Sequence, residues 1–76
     1  MYLSQLKDDQ TARIISISGG TKLHQRLALR GITEGLNFKV ISSKGPGPVT
    51  IKSNGNLITV GRGMAKKIRV REIDKC

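Results

Sequence analysis

One tyrosine, one phenylalanine and no tryptophan are all the aromatic side chains this chain has. Proteins that grip single-stranded nucleic acid stack bases on aromatic rings beside a basic groove, and Phe38 reads as core, so that mode lacks its platform. Cysteine is as scarce. Cys76 stands alone at the last position, which excludes an intramolecular disulfide and leaves a reactive or metal-binding thiol as a minor reading. His24 is the single histidine, so no Cys or His pair has the spacing of metal ligands, and a lone histidine on a helix reads as a surface or packed residue. The acids, Asp8, Asp9, Glu34, Glu72 and Asp74, are scattered. Adjacent Asp8 and Asp9 read as a solvated turn rather than a cation site. No nucleophile–base pair emerges, and no enzyme is expected. No apolar run approaches the roughly 20 residues that span a bilayer, and "MYLSQLKDDQ" lacks the basic start and apolar run of a signal peptide. A cytoplasmic protein without direct membrane insertion is expected.

Positive charge is what the chain has in excess. Fourteen Lys and Arg against five Asp and Glu give a formal net charge of +9. A field of one sign favours acidic partners: nucleic acid, an anionic membrane face or an acidic protein patch. At 76 residues the chain reads as one domain, 1–76, near the lower limit of what folds on its own core. Such a size suits a binding module better than a deep catalytic cleft.

The apolar pattern is mostly that of strands. "YLSQL" allows one helical turn and "KDDQ" a polar turn. "TARIISIS" is rich in β-branched residues, with Ala12, Ile14 and Ser16 on one face and Arg13, Ile15 and Ile17 on the other. "TKLHQRLALRG" changes to helical spacing, with Leu23, Leu27 and Ala28 on one stripe and Lys22, Gln25, Arg26 and Arg30 outside it. Thr21 is placed to cap the start and Gly31 to end it in a left-handed conformation. Strands follow at "NFKVIS", "VTIKS", "NLITV" and "IRVREI", with "KGPGPV" as a rigid loop and Asn54-Gly55 as a tight hairpin turn. Five short strands and one helix predict a mostly β fold, a small antiparallel barrel whose closure would remove its edges.

"VGRGMAKKIRV" at 60–70 begins like a phosphate-cradling G-x-G-x-x-G loop, but Lys66 takes the third glycine's place. Too few residues remain for a βαβ unit. The stretch reads instead as a corner: two glycines turn the chain, Met64-Ala65 form a short 3₁₀ segment with Met64 plugging the barrel, and Ile68 and Val70 re-enter the core. Arg62, Lys66, Lys67, Arg69 and Arg71 are then left outside. The short helix has no companion to make a helix-turn-helix.

The order "LSQL", "ARIISISGGTKLHQRLALRGITEG", "GPGPVTIK" and "ITVGRGMAKKIRV" resembles the ferrous iron transport protein A (FeoA) family over essentially the whole chain. The resemblance implies an SH3-like barrel with an inserted helix. It also implies a cytoplasmic accessory factor, without catalysis or cofactor of its own, that docks on a membrane ferrous iron transporter carrying a GTP-binding domain. It would sit peripherally at the inner membrane face through that partner. The candidate contact surface is the helix and its exit: Leu23, Arg26, Leu27, Arg30 and Gly31. Leu23 and Leu27 read as core packing before contact, which leaves Arg26 and Arg30 as the better contacts.

Two positions depart from the family pattern. Asp8-Asp9 stands where Pro-Gly is usual, and Thr33-Glu34-Gly35 where Thr-Pro-Gly is usual, so Glu34 adds charge beside the docking surface. Similar domains are fused to metal-dependent repressors, whereas this chain reads as a stand-alone version. The alternatives are a basic barrel that binds RNA or DNA through its charged surface, and an iron-binding chaperone, for which the ligand set is thin. An exposed strand edge could also pair two copies weakly.

Overall fold

The structure, a computed structural model, describes residues 1–43 and 45–73; Lys44, Asp74 and Cys76 therefore lie outside the described residues, as does Lys75. A 3₁₀ turn at Leu3–Gln5 leads into β1 (Thr11–Ile17), α1 (Thr21–Leu29), β2 (Asn37–Ser42), β3 (Val49–Ser53), β4 (Asn56–Val60), α2 (Arg62–Ala65) and β5 (Ile68–Glu72). The strands form one antiparallel sheet in the order β4-β3-β2-β1-β5. Alternation selects the inner face: Ala12, Ile14, Phe38, Val40, Ile51 and Ile68 are buried, joined by Leu3 and Leu6 from the first turn.

Two bulges curve this sheet around its core. In β1 the residues Ile15 and Ser16 are fitted in where β5 offers one step, between Ile14↔Val70 and Ser16↔Arg69. The shift brings Ile17 onto the buried face with Ile14, whereas Ile15 keeps the outward side that alternation gives it, so strict alternation fails beyond Ile15. In β2 a second shift falls between Val40 and Ser42, and Ser42 ends up exposed rather than on the core side. In β4, Val60 is buried and Ile58 packs on the core, while Leu57 faces solvent.

The barrel does not close through a ladder. Among the described residues β4 and β5 pair on one side each, because α2 carries the chain between them across the open side. The free side of β5 is covered by the N-terminus: the Val70 N–H donates to the Met1 carbonyl at 2.8 Å, and Tyr2 bridges Arg69. Among the described residues no backbone hydrogen bond covers that of β4.

The corner at 60–70 differs from expectation in two respects. Its turn is a single α-helical turn rather than 3₁₀, since the Ala65 N–H reaches the Gly61 carbonyl at 2.8 Å. Ala65 is the fully buried residue there, and Met64 packs at the margin.

Arg62 is not left outside. Half-buried, its guanidinium donates to the carbonyls of Gly47 (2.9 Å), Ser4 (3.1 Å), Ser43 (3.3 Å) and Gly45 (2.7 Å). The planar fork of five donors suits such convergence, because the turn of α2 aims it at carbonyls of the loop between β2 and β3. One cation thus ties α2 to that loop and to the first turn of the chain.

Candidate functional site

The helix expected to carry the contact surface is held at both ends by backbone geometry. At its start Gly20 is the capping residue and no side chain caps the helix; Thr21, expected in that role, is already helical. The chain enters through Gly19 at φ +116°, where a Cβ would lie 2.6 Å from Leu23 Cδ2. Leu23 thus packs closely on the Gly19 backbone. His24 fastens the same end to β1, its Nε2 donating to the Ile17 carbonyl at 2.6 Å.

At its end Gly31, at φ +86°, completes a Schellman motif. The Gly31 N–H donates to the Ala28 carbonyl and the Ile32 N–H to the Leu27 carbonyl, both at 2.9 Å. Leu27 and Ile32, 1% and 0% exposed, form the apolar contact that accompanies this cap. Of the five expected contact residues, Leu27 thus lies in the core, Leu23 packs against it, and Gly31 is the helix stop. Arg26 and Arg30 are exposed on the outer side.

A third residue belongs with them. Leu29 is 89% exposed at the last turn. Two helical steps from Leu27 rotate a side chain by about 200°, so Leu29 could have been recognised as lying opposite the core stripe. Arg26, Leu27, Leu29, Arg30 and Met64 line a hollow of about 270 Å³. Arg30 also borders a second hollow, of about 370 Å³, with Gly31, Asn56, Leu57 and Ile58 among its lining residues. The Arg30 guanidinium donates to the Thr59 carbonyl on β4 and so spans the ridge between the two. Leu57, 66% exposed, adds apolar surface to the second. The surface at the exit of α1 is therefore apolar, basic and concave.

A second charged surface lies on the outer face of the sheet. Arg13 stands directly opposite Arg71, and Lys39 opposite Lys52, arrangements of like charge that cost stability. Asn37 Oδ1 accepts from Arg13 Nε at 2.8 Å and Asp9 lies 3.8 Å from Lys39. Phe38, the ring that base stacking would need, is buried in the core. Among the described residues no three His, Cys, Asp or Glu side chains could hold a metal ion together, and no helix is long and apolar enough to cross a membrane.

A family profile described as the FeoA domain matches residues 1–72. The chain belongs to the FeoA domain family. It is 37% identical over 75 residues to a Methanocaldococcus jannaschii protein provisionally named Fe(2+) transport protein A, an alignment covering 97% of this chain and 90% of that one. The crystal structure of an iron uptake regulatory protein (FeoA) superposes with a TM-score of 0.90 at 29% identity, over 96% of this chain and 97% of that one. The solution structure of FeoA from Chlorobium tepidum gives 0.84 at 30% identity, over 97% and 71%. This FeoA chain accordingly has the SH3-like fold of those structures, five antiparallel strands with the helix α1 inserted between β1 and β2. Its turn at Asp8-Asp9 places Asp9 in the left-handed region, at φ +69°.

Proposed function

We propose that this protein is an accessory factor of Fe(2+) transport that docks on a membrane ferrous iron transporter carrying a GTP-binding domain. Membership of the FeoA family and the name of the M. jannaschii relative support the transport role. The observation that carries the docking surface is Leu29, almost wholly exposed between Arg26 and Arg30 on the rim of a hollow. A leucine presented to water beside two cations fits a partner that offers apolar and acidic groups together. In this reading the chain works by binding, in the cytoplasm and at the inner membrane face through its partner, and catalyses nothing itself.

A pull-down of the detergent-solubilised transporter at low and physiological salt, with duplex and single-stranded nucleic acid as competitors, tests the reading. Retention of the transporter at physiological salt despite the competitors is expected. Capture of nucleic acid in its place, lost steeply as salt rises, would assign the function to the basic sheet face instead.

A further inference from the structure

Among the five strands, β4 is the one without a charged residue: "NLITV", against Arg13 in β1, Lys39 in β2, Lys52 in β3 and Arg69 in β5. It is also an end strand of the sheet. Exposed edges are ordinarily blunted by lysine, proline or a bulge. None is present here, and the β3–β4 register runs from Val49↔Val60 to Ser53↔Asn56 without a shift. The two-residue turn at Asn54-Gly55 makes Ser53↔Asn56 a hydrogen-bonded pair, so alternation along the ladder directs the N–H and C=O of Leu57 and Thr59 to the free side. The Arg30 bond to the Thr59 carbonyl agrees with that assignment. Asn56, Leu57 and Ile58 of this strand line the second hollow at the exit of α1, and Arg30, bonded to Thr59, lines both hollows.

We infer that β4 receives an extended segment of the partner as an added strand, and that the segment alternates apolar with acidic residues. The inference rests on the docking function proposed above and specifies its mode. Backbone groups of Leu57 and Thr59 would pair with the incoming strand. Arg30 would release the Thr59 carbonyl and turn to an acidic side chain, and Leu29, Met64 and Leu57 would receive apolar ones. A second copy of this chain is the poorer occupant. Neither α1 nor β4 carries an acidic residue, so a copy would bring Arg26 and Arg30 without a counter-charge between two molecules of net charge +9.

Residue-resolved amide hydrogen exchange, on the protein alone and bound to the transporter in lipid nanodiscs at physiological salt, tests this. The Leu57 and Thr59 amides should exchange readily in the free protein and slow by roughly tenfold or more in the complex. Protection confined to α1 would overturn strand addition while leaving docking in place, and failure to form a complex would overturn both. Protection of the same two amides in the protein alone as its concentration rises would put a second copy on the edge and overturn the choice of occupant. Thr59→Pro removes the edge donor and leaves the β3 ladder its bonds. It should weaken transporter binding by roughly tenfold with its melting curve little changed. Should the variant not fold, the exchange result decides alone; if it folds and binds like the wild type, the added strand is wrong.

Discussion

The guanidinium of Arg30 donates to the backbone carbonyl of Thr59, which ties the exit of α1 to the free edge of β4. Both partners of that bond lie on the surface proposed for docking. An exposed bond of this kind contributes about 1 kcal/mol or less to folding. Arg30→Glu should therefore melt within a few degrees of the wild type while losing transporter binding by roughly tenfold or more. Parallel thermal denaturation and binding titrations check both halves.

Leu27 and Leu29 are two residues apart and belong to different parts of the molecule. Leu27→Ala empties a core position against Ile32 and should cost about 2–5 kcal/mol, a large share of what a domain this small has. Leu29→Ala should change stability by less than about 0.5 kcal/mol and weaken docking instead. Urea denaturation of the two variants, beside binding by the folded one, separates the roles.

Arg62 holds four carbonyls from two separate segments of the chain. Arg62→Ala should destabilise the fold by about 2–3 kcal/mol. Arg62→Lys should recover less than half of that loss, since a compact ammonium lacks the planar fork. The check is the urea midpoint of each variant with an unchanged denaturant slope.

Asp9 sits in the left-handed region at φ +69°, where glycine carries no Cβ penalty. Its exposed pairing with Lys39 is a weak compensation. Asp9→Gly should stabilise the protein by about 0.5–1 kcal/mol, visible as a rise of a few degrees in melting temperature.

The fold was legible wherever local chemistry decides it. Asn54-Gly55 marked the hairpin because its turn needs positive φ at two successive positions, and both residues adopt it. Gly31 marked the end of α1 for a similar reason. Legibility failed where the decision lies elsewhere in the chain. The bulge that turns Ile17 in depends on what β5 offers across the ladder, which alternation within β1 cannot report. Arg62 looked like one more surface cation because its partners are backbone carbonyls of remote segments, and carbonyls leave no mark in a sequence. At the exit of α1 the exposure of Arg26 and Arg30 followed from the helical stripe, and that of Leu29 follows from the same angular arithmetic. The openness of β4 required the strand order.

The most direct test of the central claim is a titration of the nanodisc-embedded ferrous iron transporter with the wild type, Leu29→Ala and Arg30→Glu at physiological salt. Docking through the exit of α1 predicts saturable wild-type binding that both substitutions weaken by roughly tenfold or more, with both variants still folded. Equal binding by all three proteins, or no saturable binding by the wild type, would contradict it.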